Sequence, residues 1–424
     1  MPTPSLILVP ARFKTGKLYT PLATTSGGVV LGASGDFNVT RATTATRVNA
    51  NGLIESVASG IPRLDYYTSG GTAGCPALLV EPSAQNVLLQ SEAFNTTWTR
   101  VGLNAFGSGS VANSTGTTDP FGGTNSDYIQ ETAASGTHIV LQQPAGQVSG
   151  TTVTLSCFAK SAERTQINFF NNGGGLGNAT FNLTAGTATL ANGVSASIQN
   201  YGNGWYRCIL TYTPNSTTNF NVQIRLADAS GNTSYTGTGT SGLYVFGAQL
   251  EVGSVATSYI PTTAAAVTRN ADVVTLSGAV SGCIGQTEGT IYAEFEYRTD
   301  TSTRRILAIS DGSQLNRVFL YFAGGSVIAS IQAGTMTVGT PVVGFNKVAF
   351  GYIQNGVSGT LTASLNGAAV VSGTTAAYPA SLNTINVGKI EDTATTSQIN
   401  ARIRSAALYT SRLTTAELIA LSTL

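Results

Sequence analysis

Short runs that alternate apolar and polar residues, separated by Gly, Asn, Asp and Ser, repeat along most of this chain. Between residues 89 and 268 they include HIVLQQPA, TTVTLSCFAKS, TQINFFNN, ATFNLTAGTATL, WYRCILTYTP, FNVQIRLADAS and GLYVFGAQLEV. A period of two with turn residues between runs predicts antiparallel strands, and this many in succession predicts a β-sandwich or jelly roll. Residues 269–424 repeat the style with TIYAEFEYRT, RRILAISD, RVFLYFAGG, NKVAFGYIQNG, GTLTASLNG and ARIRSAALY. Asn355-Gly356 and Asn366-Gly367 read as turn dipeptides there. Helical periodicity is confined to LTTAELIALSTL, where Thr414 and Glu417 form a capping box that opens a short helix over Leu418, Ile419 and Leu421. That helix is expected to cap one edge of the last sandwich.

The first 88 residues differ. SLILVPARF and KLYTPLA are interrupted by Pro10 and Pro21, which cannot donate ladder hydrogen bonds, so they read as edge strands or an extended arm. Such an arm either attaches to a neighbouring subunit or adds a strand to the first domain's own sheet. Asn51-Gly52, between Arg47-Val48 and Leu53-Ile54, predicts a type I′ hairpin turn within a small β-meander. The expected fold is all-β, with three regions. Residues 1–88 form an N-terminal arm and docking meander, residues 89–268 a jelly roll, and residues 269–424 a second antiparallel sandwich ending in the helix. SYIPTTAAAVTRNADVV links the two sandwiches.

Composition narrows the function classes. Charged residues make up 10% of the 424 residues, and 49 are Gly. Solubility therefore rests on hydroxyls and amides. The net charge of +1 gives no electrostatic footing for nonspecific binding to nucleic acid or an anionic membrane. The sequence has neither a secretory signal pattern nor an apolar run of membrane-spanning length. A β-rich protein of extracellular style without a signal fits a particle component assembled in a bacterial cytoplasm. Cys75, Cys157, Cys208 and Cys283 form no CxxC pair. Cys157 and Cys208 lie on strand-like runs of one segment and can face each other, with buried free thiols the expected state.

Candidate chemistry is sparse. Glu294 and Glu296 fall on one face of a strand, a spacing that suits paired carboxylates, but Thr299 stands where a third acid would complete a glucanase-like pattern. They read instead as the solvent face opposite Ile291, Ala293, Phe295 and Tyr297. His138 is the single histidine and no nucleophile elbow accompanies it. GNGW, GGGLG and TGTGTSG lack the lysine and helix of a phosphate loop and read as turns. Sugar stacking needs exposed aromatics beside amides. Tyr201, Tyr235 and Trp98 are the candidates, with Tyr259 behind them and Trp205 assigned to the core.

RATTATRVNANGLIE, IPRLDY and PALLVEPSAQNVLLQSEAFNTTWTR resemble a block found in structural proteins of tailed bacteriophages. SCFAKS, NGWYRC and LYVFGAQLEVGSVATSYIPTT are similar to family 4/9 carbohydrate-binding modules. IYAEFEYR, NVGKI and ARIRSAALYTSRLTTAEL resemble concanavalin A-like or laminin-G-like domains. The resemblance implies a non-catalytic protein on a tailed-phage virion surface: a tail or head fibre, or a capsid decoration. It further implies homotrimers, contact with other virion proteins through the N-terminal region, and multivalent binding to host glycans. Arg41, Arg47 and Arg63 are then the candidate assembly contacts. Jelly rolls of this kind often hold a structural calcium ion, for which Glu92, Asp127 and Glu251 are the candidate ligands. A polysaccharide-degrading tailspike and a secreted bacterial adhesin are the alternatives.

Overall fold

The computed structural model describes residues 2–20, 36–105, 116–146, 149–172, 177–216, 220–277, 281–300, 302–332, 334–390 and 397–424. Pro21 and most of the GGGLG turn lie outside them. The chain is all-β, with one short helix, Thr415–Ser422.

Two sandwiches form. In the middle one, a six-stranded sheet faces a five-stranded sheet. The five-stranded sheet is centred on Val153–Ser161, paired on either side by Gly242–Val252 and Trp205–Tyr212. The six-stranded sheet runs Thr99–Val101, Ile139–Gln142, Val222–Ala227, Gln166–Asn171, Gly177–Asn182 and Thr187–Asn192 in spatial order. Leu155, Cys157, Leu210 and Val245 from one sheet meet Ile167, Phe169, Phe181 and Ile224 from the other. Each contributes alternate residues to the core, as the period-two pattern requires. Cys157 and Cys208 are direct cross-strand partners, both buried and unbonded.

The second sandwich pairs an eight-stranded with a nine-stranded sheet, and residues 1–88 supply strands to both. Leu6–Leu8 lies along Ala401–Tyr409, with Leu6 opposite Leu408. Ala77–Val80 pairs with the other end of that strand. Phe37–Thr40 pairs with Val273–Ser277 in the opposite sheet. Leu6, Leu8, Phe37, Val39, Leu78 and Val80 belong to one core with Ile291, Phe350, Leu320 and Val387. The leader strand Leu6–Leu8 thus completes a sheet of its own chain, and that sheet belongs to the C-terminal sandwich rather than to the first one.

Two local expectations change. A hairpin does form from Ala45–Val48 and Ile54–Val57, but its loop is longer than two residues. The Asn49 side chain accepts from the Asn51 and Leu53 amides, and Gly52 has φ +78° while Asn51 is not left-handed. The asparagine before the turn organises it, so a type I′ turn is not needed. The C-terminal helix has its full capping box at Thr414 and Glu417. It lies on the outer face of the eight-stranded sheet, not at an edge, with Leu418 against Tyr292, Ala349 and Tyr409.

Candidate functional site

The residues nominated from the sequence fall in several places, and most are committed to the fold. Trp98 is 6% exposed, stacks against Phe94 at 4.8 Å and donates its indole N–H to the Gln90 carbonyl. It is a core residue of the middle sandwich, so it offers no face to a sugar. Tyr201 is half-buried between Tyr67 and Phe158. Tyr235 donates to Glu131 at 2.7 Å, and its ring is covered by His138 and the Arg164 guanidinium. Tyr259 and Trp205 are buried in an apolar cluster with Ile54, Phe158 and Phe246. His138 is buried, its Nδ1 2.6 Å from the Gly102 carbonyl.

Arg41 and Arg63, nominated as assembly contacts, are buried inside this chain. They are 3% and 1% exposed and share Asp272. Arg63 also pairs with Glu81 at 2.7 Å, and Glu81 accepts from both the Ser258 amide and hydroxyl. Arg269 stands 3.5 Å from Glu81 and donates to the Pro82 carbonyl. Three guanidiniums thus enclose two carboxylates, and Arg41 spreads the excess charge over the carbonyls of Thr43, Val57, Ala58 and Ile61. Burial alone would raise the Glu81 carboxyl, but Arg63 and Arg269 hold it well below the usual range. Burial lowers Arg41 and Arg269, against the pull of the nearby carboxylates. This cluster joins the meander, the linker and the middle sandwich inside one chain. Arg47 is more open and pairs with Glu55 at 2.7 Å, beside the Phe13 ring. Among the described residues, three cavities flank the cluster: one of about 30 Å³, lined by Asp65, Tyr201, Arg298 and Arg402 among others and too small for a sugar; one of about 310 Å³ beside Thr43, Ser56 and Arg269; and an open one of about 580 Å³ beside Gly16, Arg41 and Asn270.

The paired carboxylates are also engaged. Glu294 holds Arg404 at 2.7 Å. Glu296 holds both Arg298 and Arg402, at 2.7 and 2.9 Å. They lie opposite the core residues named for that strand, yet pairing with arginine, not solvent, occupies them. The calcium candidates are likewise bound to protein donors. Asp127 accepts from the Phe94 amide, Glu251 from Gln249 and Thr257, and Glu92 from Tyr259. Burial raises the Glu92 and Glu251 carboxyls, which disfavours the charged form a cation needs. Among the described residues, no group of three or more His, Cys, Asp or Glu is arranged to hold a metal ion.

The outer face of the six-stranded sheet is a separate candidate. The other outer face of the middle sandwich is covered by the cluster of Ile54, Phe121, Phe246 and Tyr259. On the six-stranded side no such cluster forms among the described residues. Because Ile167, Phe169, Ile224 and Leu226 point into the core, their neighbours point out. Two rows of cross-strand partners result. One runs Ile139, Arg225, Asn168, Thr180; the other runs Leu141, Gln223, Phe170, Asn178. Neither row contains an Asp or Glu.

The rows are bonded to each other. The guanidinium carbon of Arg225 lies 3.8 Å from the centre of the Phe170 ring, a close cation–π contact. Arg225 Nε and Nη2 both donate to Gln223 Oε1, at 2.8 and 2.6 Å, and Gln223 Nε2 donates to Asn221. Asn168 Nδ2 donates to Asn178 and Thr180, while its Oδ1 has no partner among the described residues. Asn168 and Gln223 are 3% and 7% exposed, and Phe170 and Arg225 are half-buried. The result is an acid-free, amide-lined surface with one aromatic and one cation fixed at its centre. The signal for it was in TQINFFNN. Consecutive Phe169 and Phe170 cannot both face one core, so one must be outward among the alternate Gln166 and Asn168.

No family model matches this chain, and no curated protein matches it. Among solved structures it is similar to the Ruminococcus gnavus sialidase CBM40 bound to α2,3-sialyllactose, at 17% identity over 34% of this chain and 88% of that one, with a TM-score of 0.30. It is also similar to domains LG4-5 of the mouse laminin α1 chain, at 13% identity over 65% and 86%, with a TM-score of 0.22. A third similarity is to Trypanosoma rangeli sialidase, at 10% identity over 91% and 76%, with a TM-score of 0.26. Superpositions this loose carry no weight for function, which rests on the side chains above.

Proposed function

We propose that this is a non-catalytic saccharide-binding protein whose ligand lies on the outer face of the six-stranded sheet. The Arg225–Phe170 pair set among Asn168, Gln223 and Asn178 carries the reading. A sugar offers a rim of hydroxyls and an apolar face of C–H groups. The partly exposed Asn178, Thr180 and Arg225 match the rim, and the exposed part of the Phe170 ring receives the apolar side, while the buried Asn168 and Gln223 hold them in place. Fixing these groups through Gln223 and Asn168 lowers the ordering cost of binding.

The resemblance of residues 36–100 to a tailed-phage block supports placing the protein on a virion surface. Trimers displayed in many copies would raise a weak single-site affinity to useful avidity. Mass spectrometry of purified particles tests the placement, and sedimentation of the isolated protein tests the trimer.

For the saccharide reading, the protein is displayed at high density and applied to a broad glycan array, beside Phe170→Ala. Binding to a subset of glycans that falls in the variant supports the reading. A wild-type protein that binds none of them overturns it.

A further inference from the structure

Resting on the saccharide reading, we infer that the ligand bears a carboxylate and that Arg225 receives it. Several arginines that are partly or wholly buried hold acids: Arg63, Arg164, Arg298, Arg304, Arg402 and Arg404 each pair with a carboxylate, whereas the buried Arg207 is satisfied by the Thr257 carbonyl and the Ser156 hydroxyl. Arg225 differs from Arg207 in being partly exposed on an outer sheet face. Its protein acceptor is the neutral Gln223 Oε1, taken up by Nε and Nη2, and its ring contact is Phe170. No carboxylate pairs with it among the described residues.

A half-buried cation without a counter-ion is held there at a cost. Burial pushes the Arg225 guanidinium down to about 10, with no acid acting against it. The surrounding packing nevertheless fixes its position. Phe170 supports the plane from one side and Gln223 holds the Nε edge. The Nη1 hydrogens and the second Nη2 hydrogen are left for an outside acceptor. A planar carboxylate presents two oxygens at the spacing of such a guanidinium edge, and forms shorter and stronger bonds than a hydroxyl does. Thr180, next to Asn168 in the row that contains Arg225, is partly exposed and can take a sugar hydroxyl beside that carboxylate. The matching ligand class is a glycan with hexuronate or nonulosonate residues.

The test prints carboxylate-bearing glycans beside their methyl esters, together with neutral and sulfated glycans of the same backbones. The wild-type protein is expected to bind the free acids about tenfold or more above their esters, the scale of a hydrogen bond to a charged group. Arg225→Gln should erase that difference, and Arg225→Lys should restore only part of it. The ester comparison uses the unaltered protein, so it stands even where a variant folds poorly. Equal binding of acids and esters overturns the carboxylate while leaving saccharide binding intact. A preference for sulfated over carboxylated glycans does the same. Absence of binding to every glycan removes the saccharide reading, and this inference with it.

Discussion

Arg63 and Asp272 are 209 residues apart in sequence and form a two-point ion pair in the interior. The pair fixes the meander to the segment that enters the second sandwich. Removing one member leaves the others as uncompensated buried charges. Asp272→Ala is therefore expected to destabilise the protein by about 3–5 kcal/mol, read by urea or thermal unfolding. Charge reversal at Arg41 or Arg63 should abolish folding itself rather than spare the fold and weaken assembly. A stable monomer carrying Arg63→Glu would overturn this placement.

Acid should act through a few identifiable carboxylates. Glu131 is buried and accepts from Arg164, Tyr235 and Thr238. Burial would raise it, but these partners bring it down from 4.5 to about 2. The unfolded chain therefore binds the proton first. The Glu131 contribution is complete above about 4.5 and is lost as pH falls toward about 2. Glu81, Glu296 and Asp300 are lowered too and act in the same sense. Glu251, raised by burial, acts in the opposite sense. Glu131→Gln should flatten the lower part of a stability-against-pH curve, measured by denaturant midpoint. An unchanged slope below pH 4.5 would count against the assignment.

Thiol accessibility should separate the cysteines cleanly. Cys75 is exposed, whereas Cys157, Cys208 and Cys283 are buried. Burial pushes the Cys157 thiol up to about 12 and also raises Cys208 well above an ordinary thiol. One thiol is expected to react quickly with a thiol reagent in the native protein, and the remaining three only on unfolding. Rapid native reaction at Cys157 or Cys208 would contradict the packing.

Trp98→Ala distinguishes a core role from a sugar-stacking one. Removal of a buried indole should cost about 3–5 kcal/mol. Glycan binding, measured well below the lowered melting temperature, should be unchanged. Loss of binding with stability retained would return Trp98 to the ligand face.

The sequence made some features legible and hid others for physical reasons. Alternation in SCFAKS and WYRCIL set Cys157 and Cys208 toward the core, but their direct pairing joins strands with four others between them in sequence and could not be read from it. The capping box at Thr414 and Glu417 depends on four adjacent residues, so local chemistry was enough. The partners of Arg41 and Arg63 were not legible. Asp272 lies 231 residues from Arg41, and an isolated arginine reads the same whether it faces a subunit or its own chain. The aromatic candidates failed for a related reason. Tyr235 sits in a polar, turn-rich segment, but its hydroxyl and ring are claimed by Glu131 and Arg164, which are far away in sequence. Phe170 was passed over because a Phe in a strand is ordinarily core.

The pairing of Leu6–Leu8 with Ala401–Tyr409 also sets the order in which the molecule can be made. During synthesis the leader strand emerges with its neighbour in the sheet still hundreds of residues from translation. The middle sandwich contains its own strand partners and can close while the ribosome is still at work. The second sandwich must wait, with Leu6, Leu8, Phe37 and Val39 unburied, until Ala401–Tyr409 is released. Contacts of such long separation are slow to form, and the exposed apolar strands are the natural targets of chaperones in that interval.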